Sequence, residues 1–210
     1  AESERVVPLL RTAPLQALAR LHLAAGAPLA GRNAGPDSLG RPRVGSEGCS
    51  EFVDLGPAPS SAAVAGRLAA LAELVLAATS PAAASAPPAA PGWSTSSAAA
   101  PGTVPAAVVA AVVHAEIVAI RPFVHGNGLV ARAMERALVQ ALGLDPTGVS
   151  VPEVGHGAEG GPAYLGALTA YAGGTAAGVG LWLTQAGRAL VAGIAEGERI
   201  SDAVRAGRLR

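Results

Sequence analysis

The chain has 210 residues, half of them apolar, and its 15 basic residues balance its 15 acidic ones. This length suits one domain with a substantial core, and alanine, the strongest helix former, supplies much of that core. The basic residues are all arginines and form no basic block, so nothing in the composition indicates nucleic-acid binding. The composition therefore predicts an all-α protein.

Cysteine content and hydropathy indicate neither export nor a membrane span. Cys49 is the single cysteine, so no internal disulfide forms and a reducing compartment is compatible with the chain. Residues 1–5 lack the basic and apolar regions of a signal peptide. The longest apolar run, Ala106–Ile120, is shorter than the roughly 20 residues that cross a bilayer, and it contains His114 and Glu116. We therefore expect a cytoplasmic protein in which this run is a buried helix.

The first 60 residues predict a helix followed by an irregular arm that packs on the body of the protein. Apolar residues recur at helical spacing over 13–25. Residues 26–60 are rich in glycine, proline and charge, and only 51–55 has the pattern of a short strand. A loop of this length is either a surface connection or an arm that faces a substrate, and the sequence leaves both open. The main helical domain is predicted over 61–210.

Two apolar helices are predicted on either side of a low-complexity segment. The first spans 61–79, and Ser60 or Ser61 is suited to its N-cap. The second spans about 103–120. Between them, residues 80–102 are rich in alanine, proline and serine; their prolines exclude a helix and they offer little to bury.

The second of these helices carries two polar side chains. We expect His114 to have a structural hydrogen-bonding role. Glu116 is a carboxylate in an otherwise apolar helix, and burying it is costly unless it is paired. We therefore expect Glu116 to face water or to pair with an arginine, either Arg132 or Arg136.

Residues 120–132 contain the greatest variety of side chains that could act in catalysis or ligand binding. Pro122 ends the preceding helix and disfavours a helical conformation at Arg121. Gly126, Asn127 and Gly128 form a turn with unusual backbone freedom, and a second helix is expected from Leu129. In this helix-loop-helix the loop's N–H groups face the start of the second helix, an arrangement that binds anions.

The remainder of the chain predicts further helices. Residues 149–154 are extended at most, 155–161 form a flexible loop that carries His156, and helices begin at Pro162 and Thr175. Glycines inside the last helix weaken it intrinsically, so they indicate the close approach of a neighbouring segment; they are Gly178, Gly180, Gly187 and Gly193.

The loop at 121–132 resembles the signature of the Fic (Fido) family, His-Pro-Phe-x-Asp/Glu-Gly-Asn-Gly-Arg-x-x-Arg. The matching positions are Pro122, Phe123, Gly126, Asn127, Gly128 and Arg132. Arg121 replaces the family's catalytic histidine, His125 its acidic metal ligand and Leu129 its first arginine. The resemblance implies a Fic-like helical domain over roughly 60–200 and a short β-hairpin flap within 80–102, for which an unstructured linker is the alternative.

The departures from the signature affect the chemistry that the resemblance implies. In Fic proteins the histidine removes a proton from a target hydroxyl, which attacks the α-phosphate of a nucleotide, while the acidic residue holds Mg²⁺. Arginine stays protonated to above about pH 12, so Arg121 supplies charge but cannot be that base. His125 offers Mg²⁺ neither oxygen nor negative charge. The retained residues, which we call the anion cradle, predict binding of ATP, another nucleotide or a different phosphate; they are Gly126, Asn127, Gly128 and Arg132.

Three functions remain open from the sequence. The first is a pseudoenzyme that binds a nucleotide or other phosphate at the anion cradle and does not perform standard AMP transfer. The second is an enzyme with altered nucleotidyl- or phosphoryl-transfer chemistry that uses His125 as its base, with His156 on a loop able to approach it. The third is a non-catalytic helical domain that binds a protein partner.

Many Fic-like proteins also carry an inhibitory helix whose glutamate pairs with the second arginine of the signature. Glu196-Gly197 near the C-terminus matches only the Glu-Gly part of that pattern. The resemblance therefore offers Glu196 as an inhibitory partner of Arg132, and a solvated glutamate near a helix end is the alternative.

Overall fold

In this computed structural model the described residues are 1–29, 38–80, 104–158 and 160–208. All the regular structure in these ranges is helical, which confirms the all-α prediction. The α-helices are α1 (Glu2–Val6), α2 (Pro14–Gly26), α3 (Ser61–Thr79), α4 (Ala106–Ile120), α5 (Asn127–Ala141), α6 (Pro152–Ala158), α7 (Gly161–Ala172) and α8 (Ala176–Arg205). The flap expected within 80–102 lies outside the described residues, apart from Ser80.

Helix α4 lies at the centre of the core. Its residues are apolar on nearly every side, and a helix with this pattern is stable in water only when other elements cover it. Helices α3, α5, α7 and α8 all contact it. Val113, Ile117 and Ile120 of α4 are fully buried.

The N-terminal helices belong to the same core. Helices α1 and α2 pack against α5, and α2 also contacts α3. Val6, Leu10 and Leu18 are buried in one cluster with residues of the later helices. The apolar core is therefore continuous across the boundary predicted near residue 60.

Local chemistry explains where several helices begin and end. Ser60 caps α3 by accepting the N–H of Ala63 (3.3 Å), and Thr175 caps α8 by accepting the N–H of Gly178 (3.0 Å). Helix α5 begins at Asn127, two residues before the predicted start, because Gly126 at φ 80° supplies the left-handed turn that lets the chain enter the helix.

The prediction for residues 149–161 is wrong, because 152–158 form helix α6. Glycine has poor helix propensity, but Pro152 favours the first helical turn and packing against α8 stabilises the segment. A Cβ atom at Gly155 would lie 1.8 Å from the carbonyl oxygen of Ala189, so only glycine permits this close contact. His156 is consequently buried on a helix rather than exposed on a loop.

The strand suggested at 51–55 is also absent from the structure. Residues Val53–Leu55 form a 3-10 turn, and Phe52 before it has φ 54°, a left-handed conformation that is incompatible with a strand. The turn directs residues 51–57 over the loop between α4 and α5, where backbone carbonyls of this segment accept hydrogen bonds from Arg121.

Helix α3 is the one helix of the described ranges that is long and apolar enough to cross a membrane by length and hydropathy. Core helices of soluble proteins meet the same criterion. Val64, Leu68, Leu71 and Val75 of α3 are buried in the protein core.

We predict opposite effects of adding one methyl group at two glycines of α8. A Cβ atom at Gly193 would lie 2.7 Å from the backbone of Val151, whereas a Cβ atom at Gly180 would contact nothing. Gly193→Ala should therefore lower the free energy of unfolding by about 1–3 kcal/mol through overpacking. Gly180→Ala should raise it by up to about 1 kcal/mol because alanine favours a helix. Urea unfolding followed by circular dichroism measures both, and equal effects would contradict the close contact.

Candidate functional site

The loop between α4 and α5 is held in shape by one buried side chain. Asn127, fully buried, accepts the backbone N–H of Phe123 through Oδ1 (2.9 Å) and donates from Nδ2 to the carbonyl of Phe123 (2.9 Å). Arg121 ends α4 in a left-handed conformation with φ 46°. The loop therefore has a fixed geometry in which the N–H groups at the start of α5 point out of the helix.

Those N–H groups already hold an anion, the side chain of Glu51. Gly126 donates its N–H to Glu51 Oε1 (2.6 Å), and Asn127 donates its N–H to Oε2 (2.9 Å). The Asn127 side-chain amide adds a third hydrogen bond to Oε2 (2.8 Å). A helix N-terminus carries partial positive charge, so a carboxylate is stabilised there. The arm thus supplies the anion that occupies the cradle.

Arg121 fastens the arm above the loop and does not face an open site. Its side chain is buried, and Nη1 donates to the carbonyls of Glu51 (3.3 Å), Phe52 (3.1 Å) and Gly56 (2.9 Å), while Nη2 donates to that of Pro57 (2.9 Å). The planar guanidinium can reach several acceptors at once, as a histidine could not. Arg121, which aligns with the histidine of the Fic signature, therefore has a structural role in holding the arm.

A second buried arginine makes the reciprocal connection. Arg43 on the arm donates from Nε to the carbonyl of Arg121 (2.8 Å), and its backbone N–H donates to the carbonyl of Pro122 (2.7 Å). Its guanidinium also bonds the carbonyls of Glu47 and Pro59 (both 2.9 Å). Residues 43–59 are thus fixed to the loop from both sides, and the arm covers the start of α5.

Gly128 and Arg132 complete the cradle along α5. A Cβ atom at Gly128 would lie 2.9 Å from the ring of Phe52 and 3.4 Å from Nη1 of Arg132, so the arm also packs over the first turn of the helix. Arg132 is half-buried and forms no ion pair with any carboxylate of the described residues. Its charge lies close to Tyr164 and partly offsets the effect of burial, which raises the pKa of that hydroxyl to about 12.

The ring of His125 lies against helix α2. A Cβ atom at Gly26 would be 3.3 Å from its ring, and both ring nitrogens are buried without a hydrogen-bond partner in the described part of the chain. Its carbonyl accepts a hydrogen bond from Nε2 of His22 (3.1 Å), whose Nδ1 accepts the N–H of Gly40 (2.9 Å). No described group orients the His125 ring as a general base.

Leu129, which lies within the loop sequence, and Glu196 of α8 supply no charged partner to the cradle. Leu129 is exposed. Glu196 lies on an exposed turn of α8 and accepts a hydrogen bond from Nε of Arg199 (2.7 Å), so the structure pairs it with Arg199 and not with Arg132. The i,i+3 spacing on one helix face explains this pairing.

Glu116 does not pair with either of the two arginines that the sequence suggested. Glu116 pairs with Arg67 of α3, whose Nη2 lies 2.8 Å from its Oε2, and not with Arg132 or Arg136. Tyr171 of α7 donates its hydroxyl to the other oxygen (2.8 Å). Since α3 and α7 are far from α4 in sequence, only the tertiary structure could identify these partners.

A buried cluster that sequence reasoning missed lies two turns further along α5. Glu135 accepts hydrogen bonds through Oε2 from Nδ1 of His114 (2.6 Å) and from Nε2 of His156 (2.8 Å), and Tyr164 lies 2.8 Å from Nε2 of His114. Burial lowers the pKa of His114. Burial alone would raise the pKa of Glu135, but the charge of His114 and the hydrogen bonds from both histidines have the larger effect, so the pKa of Glu135 is lowered.

One signal for this cluster was present in the sequence. Glu135 follows Met134 and stands one turn after Ala131 and one turn before Leu138, so it lies at the edge of the apolar face of α5. A carboxylate in that position requires a partner. His114 has the structural hydrogen-bonding contacts that were expected of it, whereas its partners were not foreseen.

Comparison of the chain with protein-family models finds no matching family, and searches of curated proteins and of solved structures find no match either. The resemblance to the Fic signature therefore stays a prediction that depends on the loop residues.

We predict that Arg121→Met will release the arm. The substitution removes four hydrogen bonds to backbone carbonyls, each worth about 1.5–3 kcal/mol when the donor is charged. Amide hydrogen exchange over 43–59 should become much faster, and the free energy of unfolding should fall by about 3 kcal/mol or more. Exposed Arg11→Met is the control and should change neither. Unchanged exchange in Arg121→Met would show that Arg121 does not hold the arm.

Proposed function

We propose that the protein binds a phosphate-bearing ligand, a nucleotide being the first candidate, at the N-terminus of α5 in competition with Glu51. The observation that carries this proposal is the carboxylate held by three N–H donors of Gly126 and Asn127. A site that holds one anion with this geometry suits the oxygens of another, because phosphate accepts the same hydrogen bonds and carries more charge.

A cation lies beside these donors. Arg132 is one turn along α5, with its Nη1 near Gly128, and it forms no ion pair within the described ranges. Arginine recognises phosphate through paired N–H donors. A phosphate at the helix start would supply an anionic partner for Arg132, and Phe52 above Gly128 offers an aromatic surface next to it.

Glu51 sets the affinity of this site. A ligand must displace three charge-assisted hydrogen bonds, so its apparent dissociation constant is inversely proportional to the fraction of molecules in which the cradle is free of Glu51. Any movement that withdraws the arm would raise the affinity. The arm is therefore an internal competitor.

The proposal concerns binding and does not include AMP transfer. Arg121 cannot accept a proton at neutral pH, and it is occupied by the carbonyls of the arm. The alternative that uses His125 as a base has no supporting contact, since neither ring nitrogen has a partner among the described residues. Among the described residues, no carboxylate other than that of Glu51 bonds to the loop, so we expect ligand binding to be independent of Mg²⁺.

One alternative uses the same observations. A non-catalytic helical domain could retain the cradle solely to dock its own arm, and the buried arginines Arg43 and Arg121 favour this interpretation. The two functions differ in what happens when the carboxylate is removed, because only a binding site would then accept an external anion.

We predict that Glu51→Ala will strengthen the binding of phosphate ligands. In titration calorimetry with ATP, ADP, AMP and inorganic phosphate, with and without Mg²⁺, the wild type should bind weakly. Glu51→Ala should bind at least one of them about tenfold more tightly or better, because the competitor is removed. Asp54→Ala is the matched control: it removes an exposed carboxylate from the same arm without opening the cradle, so it should match the wild type.

Arg132→Ala in the Glu51→Ala background should then reduce the affinity again, by about tenfold or more, since it removes the cation beside the cradle. Thermal melts and circular dichroism establish that each variant is folded. If folded Glu51→Ala binds none of the four ligands, the proposal fails and the docking role of the loop remains.

A further inference from the structure

We propose that His114, Glu135 and His156 form a binding site for a divalent transition-metal ion, with Zn²⁺ as the best fit. This site is distinct from the anion cradle and does not depend on the function proposed for it. The three side chains come from three helices, α4, α5 and α6, and each is at least nine-tenths buried.

The donor atoms converge closely enough to share one ion. Nδ1 of His114, a carboxylate oxygen of Glu135 and Nε2 of His156 all lie within 4.8 Å of one another. In the structure both nitrogens form hydrogen bonds with Glu135 Oε2, at 2.6 and 2.8 Å. Zn–N and Zn–O bonds of about 2.0–2.2 Å around a tetrahedral ion place the donors roughly 3.3 Å apart. To make room for the metal, the two nitrogen–oxygen distances must lengthen by about 0.5–0.7 Å, and the two nitrogens, which lie within 4.8 Å of each other, must reach a similar spacing.

The type of donor selects the class of metal. Two imidazoles and one carboxylate are a ligand set that Zn²⁺ uses when it keeps a fourth position open. Imidazole also suits Cu, Ni and Fe, whereas Mg²⁺ and Ca²⁺ prefer oxygen ligands throughout. A buried carboxylate between two histidines in an alanine- and valine-rich core is costly, and a cation of charge two would compensate it directly.

The surroundings orient both histidine rings. Nε2 of His114 lies 2.8 Å from the Tyr164 hydroxyl, which can accept a hydrogen from that nitrogen while Nδ1 binds a metal. The ring of His156 is parallel to Trp182, with an interplanar angle of 5°. Trp182 is itself fixed, because its Nε1 donates to the carbonyl of Ala111 (2.7 Å).

An apolar crevice borders Glu135. A space of about 60 Å³ between α4, α5 and α8 is lined by apolar residues and by Glu135. The other wall residues include Ala110, Ala111, Ala186 and Gly187. Water molecules fit in a space of this size. Of the three proposed ligands only Glu135 lines this crevice, so the crevice approaches the cluster from the side of the carboxylate.

The same atoms could form a hydrogen-bonded network without a metal, with Tyr164 donating to His114 and His114 donating to Glu135. The decisive difference is stoichiometric metal binding. Protein freed of metal by chelator treatment and dialysis is titrated with Zn²⁺ against a chromophoric competitor. We expect one tightly bound Zn²⁺ per chain, and Co²⁺ in its place should give the visible absorption of a tetrahedral site.

Two variants test the ligands and their support. Glu135→Gln should weaken Zn²⁺ binding by about 100-fold or more because a charged ligand is lost. Tyr164→Phe keeps all three ligands but removes the partner of His114, so it should weaken binding by roughly 10–100-fold. His125→Asn is the matched control, since His125 is one of the four histidines and lies outside the cluster; its Zn²⁺ affinity should equal that of the wild type.

X-ray absorption of the Zn²⁺-loaded wild type keeps the proposal testable if Glu135→Gln does not fold. The spectrum should show two imidazoles and light-atom donors. Three results would each overturn the proposal. The first is the absence of stoichiometric Zn²⁺ binding in the wild type, and the second is a sulfur ligand from Cys49 in the spectrum. In the third, folded His125→Asn loses Zn²⁺ binding while folded Glu135→Gln retains it. The first of these outcomes would establish the cluster as a metal-free hydrogen-bonded network.

Discussion

The hydrogen bonds between the Glu51 carboxylate and the start of α5 are the interaction on which the arrangement of the arm and loop depends. The first N–H groups of a helix lack intrahelical partners, and burying them unpaired would be costly. The arm satisfies them with a carboxylate, and Arg121 in turn satisfies the carbonyls that the arm exposes as it turns. Each half therefore stabilises the other, and a change in either would expose polar groups of both.

Helix α5 connects the two candidate sites. Its first turn holds an anion, Arg132 follows one turn later, and Glu135 follows after a further three residues at a buried position. Eight residues from Asn127 to Glu135 correspond to about 12 Å along the axis, so the sites are separate but rest on one rigid element. Displacement of Glu51 would act at the N-terminal end of this helix, beneath the arm, whereas a metal would act at its middle.

Much of the fold followed from sequence, because it depends on local patterns. The helices at 14–26, 61–79 and 106–120 were expected from apolar periodicity, proline and cap residues, and these determinants lie within each helix. Helix α6 was not expected, because glycine disfavours a helix. The reason for a glycine there, the close contact of Gly155 with the backbone of α8, is visible only in the structure. The cradle donors were likewise indicated by Gly126 and Asn127, but Glu51 was not, because it lies 75 residues away in a segment without periodicity.

The sequence by itself determined the class of the fold and the position of a loop with anion-binding geometry, because backbone conformation there is set by adjacent residues such as Pro122 and Gly126. Only the tertiary structure decided which groups meet. It assigned Glu51 to the helix start, Arg121 to the arm, and His114, Glu135 and His156 to one buried point. Hydrogen bonds and charge pairs depend on distances between side chains, and those distances are fixed by the packing of helices that are remote in the chain.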